Sequence, residues 1–363
     1  MLKIVRKAEP SRRNEILMRL GAVALALAAS AVVMAMLGYH PLNVYQKILE
    51  GSLNSKYRFT QTINKTIPLV VLSLGISVAF KMKFWNIGAE GQLYMGAFGA
   101  SWIALNFGHL PAAVLLPSMM IAAIVCGGLW ALIPAILKSK FSTSETLVTL
   151  MLNYIAIRWI SYLQYGPWKD PEALGFPKIA TFSENAVLPN VFGVHIGWII
   201  ALILAVGVHF LLGRTKLGYE IAVLGESEAT ARYAGMNVAK ITIIAMMISG
   251  GLCGSAGMMQ ASAVEQTLND QLSGGLGFTA VITSWLACLS APAILLVSFL
   301  FSVLLRGGAF LQSSLKIPSA VSEALQGLIL FFVLGSEFFI RYKVVYVSRK
   351  QAARSSAKGG ETA

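Results

Sequence analysis

Two amides, a carboxylate and a tryptophan fall within eight residues, Trp85-Asn86-Ile87-Gly88-Ala89-Glu90-Gly91-Gln92, between the apolar runs 66–80 and 93–107. Amide side chains donate and accept hydrogen bonds and a carboxylate accepts them, so this set can pair with the hydroxyls and ring nitrogens of a small polar solute. The indole adds a flat stacking surface. Glycine weakens a helix by about 1 kcal/mol relative to alanine, so Gly88 and Gly91 allow the backbone to open or bend here. Inside a bilayer, irregular backbone survives only where protein buries it or where it lines a wet cavity. An ionisable residue at that depth marks a functional site. The alternative is a short turn between two helices, with Lys81 and Lys83 at the membrane interface.

The elements that would position these residues are apolar. With 56% hydrophobic and 12% charged residues in 363, the chain has the composition of an all-α polytopic membrane protein. Ten stretches are long and apolar enough to count as spans: about 17–37, 63–80, 87–107, 111–137, 143–163, 193–212, 238–260, 275–290, 292–310 and 319–340. With the basic N-terminus inside, an even count places both termini in the cytoplasm. Twenty of the 29 Lys and Arg then fall on the cytoplasmic side, which is the positive-inside bias. The net charge of +13 is thereby explained by membrane topology, and a nucleic-acid partner is excluded.

The basic start followed by an apolar run resembles a signal peptide, but the run continues to Leu37, so an uncleaved first helix is expected. The boundaries read as a cytoplasmic segment 1–16, a single transmembrane domain 17–347 and a disordered cytoplasmic tail 348–363. The membrane domain carries an external loop 164–192, an ordered cap rich in Pro and acidic residues, and a cytoplasmic loop 213–238. Cys126, Cys253 and Cys288 read as small core residues. The scattered His40, His109, His195 and His209 suggest no metal site, and no cofactor is expected. Neither a phosphate loop nor a nucleophile triad occurs, so catalysis is not expected of this chain.

The eighth and ninth spans are interrupted by Gly274, Gly275, Gly277, Pro292 and Arg306-Gly307-Gly308. Such interruptions point to broken helices beside a substrate path. Ser144-Glu145-x-Leu147 recurs as Ser322-Glu323-x-Leu325, and Ser101-Trp102-x-Ala104 as Ser284-Trp285-x-Ala287. Spans 2–5 and 7–10 are therefore expected to be inverted repeats. In the loop 213–238, Glu226 to Ala234 contains strong helix formers, acidic residues at its start and Arg232 in its last turn, and closes on Gly235. A short helix presenting Tyr233 can lie in a partner's groove or on the membrane surface.

Asn86-Ile87-Gly88-x-Glu90-Gly91-Gln92 resembles the signature of bacterial ABC importer permeases that serve nucleosides and related simple sugars. Ser144-Glu145-Thr146-Leu147 with Met151-Leu152-Asn153-Tyr154, Ala231-Arg232-Tyr233-Ala234-Gly235-Met236, and Ser249-Gly250-Gly251-Leu252 with Gly254 and Gly257 continue the resemblance in order. The stretch Leu286-Ala287-Cys288-Leu289-Ser290-Ala291-Pro292 departs from it, lacking a charged and an amide residue near a helix end.

The resemblance implies a multi-pass subunit of the bacterial plasma (inner) membrane that forms the path for a nucleoside. A separate ATPase subunit would dock on Glu228, Ala229, Arg232, Tyr233 and Gly235. A second permease subunit, as a heterodimer, and a substrate-binding lipoprotein are the other implied partners, beside membrane lipid. A nucleoside needs stacking surfaces and hydrogen-bonding side chains. The candidates are Trp85, Asn86, Glu90, Gln92, Asn153, Phe278, Trp285 and Gln326. Arg158 and Glu323 read as structural pairs. The alternatives are a permease for a simple sugar such as ribose or galactose, and a secondary transporter in which Glu90 or Glu323 carries a proton.

Overall fold

The computed structural model describes residues 2–6, 12–173, 175–318 and parts of 320–346. Two units are present, residues 1–48 with 308–363, and residues 49–307. The protein is an all-α polytopic membrane protein. Among the described residues, six helices are long and apolar enough to cross a bilayer. The tenth expected span, 319–340, and the tail 348–363 lie partly or wholly outside the described residues.

In the first unit, helix α1 (Arg12–Met36) runs without a break and turns by 113° into α2 (Pro41–Leu53). Tyr45 holds the corner, its hydroxyl donating to the Leu27 carbonyl at 2.6 Å and lying 2.9 Å from Ser30 Oγ. The sequence reading had only loop over 40–62. Strand β1 (Leu2–Arg6) pairs antiparallel with β4 (Tyr342–Tyr346), which brings the two terminal segments together.

In the second unit, α3 (Lys56–Lys81), α4 (Ala89–Asn106), α5 (Ala112–Phe141), α6 (Glu145–Tyr165) and α7 (Gly197–Arg214) precede two short helices, α8 (Lys216–Glu226) and α9 (Glu228–Tyr233). Then come α10 (Val238–Met259), ending in a π-helical turn Gln260–Glu265, α11 (Leu276–Leu286) and α12 (Ala291–Leu315). Helices α3 and α10 form the centre, with 83% and 72% of their most apolar stretches buried. The outer helices α5, α6 and α7 leave most of theirs exposed, as lipid-facing helices do.

Small residues let the central helices touch backbone to backbone. A Cβ at Gly127 of α5 would sit 2.7 Å from the Cα of Gly254 on α10, and one at Gly257 would sit 2.9 Å from the Ala97 nitrogen on α4. Such contact fixes helix separation without any polar bond. It is the reason glycines crowd this part of the sequence.

The loop 166–196 is ordered onto the chain that follows α10. Phe182 N donates to the Gln266 carbonyl at 2.9 Å, Thr267 Oγ1 to Ile179 O at 3.0 Å, and Ser262 Oγ to Ala186 O at 2.6 Å. It ends in a hairpin of β2 (Asn190–Val191) and β3 (Val194–His195). His195 is 1% exposed, and burial pushes its pKa down to about 4, opposed in part by the Asn64 backbone.

Of the three cysteines, Cys253 is buried and Cys126 partly so, in keeping with core roles. Cys288 is exposed. It sits in the turn between α11 and α12, where Cys288 and Leu289 take positive φ of 54° and 56°, so the apolar segment assigned to it is broken there. The expected structural pairs are not found among the described residues. Arg158 and Glu323 are exposed and make no ion pair among the described residues.

Candidate functional site

The segment Met82–Gly88 interrupts α3 and α4 in a compact non-helical turn. Lys83 takes φ of 59°, Asn86 N donates to Phe84 O at 2.9 Å, and Ile87 N to Trp85 O at 3.2 Å. Its polar side chains are buried, Asn86 at 0%, Gln92 at 1% and Glu90 at 3% exposure. The amides of Asn86 and Gln92 pair reciprocally, Nδ2 to Oε1 at 3.2 Å and Nε2 to Oδ1 at 3.1 Å. Asn86 Nδ2 also donates to Ser249 Oγ on α10 at 3.2 Å, and its Oδ1 accepts from Gly88 N at 3.0 Å. Every hydrogen-bonding position of the Asn86 side chain is thereby engaged by protein.

Asn153 of α6 closes the other side. Its Oδ1 accepts from Gly91 N at 2.8 Å and its Nδ2 donates to Ile87 O at 2.9 Å. Thr149 Oγ1, one turn earlier, accepts from Ile87 N at 3.3 Å. Irregular backbone inside the bundle is thus satisfied by neighbouring side chains, which is the condition for its survival there.

Glu90 reaches in a third direction. Its Oε2 accepts from Gly277 N, in the first turn of α11, at 2.7 Å. A helix start presents unpaired N–H groups and a partial positive charge, so a carboxylate is favoured there. Gly275, preceding α11, takes φ of 81°, a conformation that suits glycine. Tyr94, one turn along α4, donates from its hydroxyl to Asp270 O at 2.7 Å. The first turns of two interrupted helices therefore meet around one carboxylate, the architecture expected beside a substrate path.

Aromatic rings lie beside this knot. Trp85, 47% exposed, stacks on Trp285 of α11 with ring centroids 5.5 Å apart and planes inclined by 29°. Phe80 lies 5.6 Å from both. Phe278 is also partly open. The eight candidates thus divide. Asn86, Gln92, Asn153 and Glu90 are held by protein partners, Trp85, Trp285 and Phe278 present surface, and Gln326 lies outside the described residues.

At the lysine-bearing end, Ser227 caps α9 by accepting from Thr230 N at 3.2 Å, and Glu228 pairs with Arg232 at 2.7 Å. Ala231 packs inward, Tyr233 stands 97% exposed, and Gly235 ends the turn with φ of 74°. The expected helix is present, shorter than its sequence bounds. The preceding α8 was not foreseen. Its Gly225 rests on the Lys81 carbonyl and leaves no room for a Cβ. A cleft of about 400 Å³ separates these helices from the α5–α6 turn, lined by Lys83, Lys138, Glu145, Glu226, Glu228 and Arg232.

The family described as "branched-chain amino acid transport system / permease component" matches residues 58–334. The chain belongs to that permease family. A glucose ABC transporter permease of Haloferax volcanii is 32% identical to it over 354 residues, 93% of each chain. A guanosine ABC transporter permease of Bacillus subtilis is 31% identical over 350 residues, 94% of this permease and 99% of that one. A second guanosine ABC transporter permease of the same organism is 31% identical over 228 residues, 61% and 72% of the two chains. Members of the family are the membrane subunits of transporters rather than enzymes. The matched residues of this permease take in the octapeptide, the α8–α9 segment and the interrupted α11.

Three charged residues of the apolar helices stand outside the candidate set. Lys65 of α3, Glu265 at the end of the π-helical turn and Arg306 of α12 are charged and sit within or at the edge of apolar helices. Their signal was present as single charges in otherwise apolar runs. Lys65 and Glu265 look isolated along the chain, and Arg306 reads there only as part of an interruption at Arg306-Gly307-Gly308, which α12 in fact runs through as unbroken helix.

Proposed function

We propose that this permease imports nucleosides, as one of two membrane subunits driven by a separate ATPase that docks on α8 and α9 in the cytoplasm. The observation that carries the docking is the capped, ion-paired α9 with Tyr233 almost wholly exposed, a rigid aromatic knob next to a polar cleft. The substrate is suggested by the two guanosine permeases of Bacillus subtilis, whose shared substrate name also favours a pair of unlike permease subunits. The stacked Trp85 and Trp285, with Phe278, supply the flat apolar surface that a purine base requires. Asn86, Gln92, Asn153 and Glu90 form the frame that holds this surface. A binding protein on the outer face would supply affinity, so the path itself needs only weak contacts.

The test is uptake of labelled guanosine by the purified complex in plasma-membrane-like proteoliposomes. Uptake should require ATP on the cytoplasmic face and persist with ionophores present. Uptake by the permease alone, driven by a pH step, would move the reading to secondary transport. The Haloferax relative's name supports glucose as a second reading, and competition of guanosine uptake by excess glucose would favour it.

A further inference from the structure

Asp270 stands in the non-helical segment between the π-helical turn and α11, and its backbone is held from both sides. Its nitrogen donates to Gln164 Oε1 of α6 at 3.0 Å, and its carbonyl accepts from the Tyr94 hydroxyl of α4 at 2.7 Å. Ser273 N donates to the same hydroxyl at 3.4 Å, and Gly277 N then reaches Glu90, one turn before Tyr94. The segment 270–277 is thereby stitched along the first two turns of α4. Irregular backbone in a membrane domain persists where protein buries it or where it lines a wet cavity. Asn269 and Asp270 are half-buried and Gln271 is exposed, so these three consecutive polar side chains fit the second case.

The carboxylate of Asp270 is far less engaged than its backbone. A carboxylate accepts at about four lone-pair positions. Among the described residues only Ser161 Oγ donates to it, to Oδ2 at 3.0 Å, and no cationic side chain lies within ion-pair distance. An ionisable side chain in a membrane domain is costly unless it is paired, hydrated or liganded, and it marks a solute path. Three side chains from two helices fix where Asp270 sits, while most of its acceptor positions are left to something outside the protein. That is the arrangement of a preorganised contact rather than of a structural bridge. The α6 face beside Ser161 is open as well. Arg158, three residues before it, and Tyr162, next to it, line a groove of about 530 Å³.

We propose that Asp270 is an entry-side contact for the transported solute, its carboxylate accepting two adjacent hydrogen-bond donors of a neutral molecule. This rests on the importer reading, in which the loop 166–196, bonded to Gln266 and Thr267 just before this segment, faces outward. A nucleoside carries two donors side by side in two places, the vicinal hydroxyls of ribose and the N1–H and 2-amino group of guanine. Either pair matches the two oxygens of one carboxylate. The bond from Ser161 sets the rotation of the carboxylate and leaves Oδ1 and one side of Oδ2 open. Hydrogen bonds to a charged acceptor are the stronger kind, so a single residue discriminates between solutes.

The experiment compares uptake of labelled guanosine, inosine and 2′,3′-dideoxyguanosine by the assembled complex in proteoliposomes. Inosine lacks the 2-amino group, and the dideoxynucleoside lacks the diol. The unaltered complex should favour guanosine over one of the two by about tenfold, the loss expected for a hydrogen bond to a charged group. Asp270→Asn, which keeps the size and an acceptor for Ser161, should abolish that preference by lowering guanosine uptake, with the thermal midpoint unchanged. A fall in the inosine comparison assigns the contact to the base, and a fall in the dideoxynucleoside comparison assigns it to the ribose. Preferences retained in the variant, or absent from the unaltered complex, overturn the proposal. An unaltered complex that carries no guanosine removes the nucleoside reading instead, and the site is then judged by labelling, as it is where Asp270→Asn fails to assemble. Asp270→Cys should react with a membrane-impermeant methanethiosulfonate at the outer face, beyond the labelling of the unaltered complex, and millimolar guanosine or glucose should slow the reaction. No added labelling, labelling that neither solute slows, or failure of both variants to assemble overturns the site.

Discussion

Glu90 and Gly277, 187 residues apart, are joined by a hydrogen bond of 2.7 Å from the glycine nitrogen to the carboxylate. The bond ties the first turn of α4 to the first turn of α11, so neither helix start can move alone. A Cβ at Gly277 would lie 2.6 Å from Glu90 Oε2 and as close to the Glu90 Cα. Gly277→Ala should therefore cost about 1–3 kcal/mol through overpacking. Gly207→Ala on α7, where a Cβ meets nothing within 4 Å, should be neutral or slightly stabilising. Thermal midpoints of the two detergent-purified variants make the comparison, and equal midpoints would show that the α4–α11 contact is loose.

Asn86 separates a structural from a recognition role. Asn86→Leu leaves Gln92 and Ser249 short of partners, at about 1–3 kcal/mol for each buried group stranded. Adding Gln92→Leu should recover part of that loss, giving a coupling of about 0.5–3 kcal/mol in a double-mutant cycle. If both single variants keep full stability and lose only uptake, the amides meet substrate rather than each other.

Arg232→Glu combined with Tyr233→Ala should release the ATPase. The reversed charge faces Glu228 at an i,i+4 spacing and unsettles α9, while the alanine removes its exposed ring. Co-purification with the ATPase should drop at least tenfold while the permease stays folded. Normal co-purification and transport would place the dock elsewhere.

His195 predicts a pH dependence. Its folded pKa of about 4 lies below the ordinary 6.5, so the folded protein holds the ring neutral where the unfolded chain would protonate it. The stabilisation is full above pH 6.5 and is lost progressively as pH falls toward 4, amounting to roughly 3 kcal/mol. Thermal midpoints measured from pH 7.5 down to 4.5 should fall, and His195→Phe should flatten the slope. An equally steep slope in the variant would assign the effect to other groups.

The membrane class, the breaks at 82–88 and 266–275, and the short helix before Gly235 were all legible in the chain, because hydropathy, glycine placement and capping are local properties. Span boundaries among the described residues were found to within a few residues for the same reason, except that α3 begins seven residues earlier, at Lys56, where polar residues extend a helix without extending its apolar run, and that α12 runs to Leu315 straight through the break expected at Arg306-Gly307-Gly308. The roles of the polar residues were decided only by packing. Asn86 and Gln92 sit six apart and look available in sequence, yet folding turns them toward each other and toward Ser249. Trp85 and Trp285 become one surface because α11 ends against the 82–88 turn. Neither pairing could be read along the chain, since the partner of a buried polar group or of an exposed ring depends on which helix faces it.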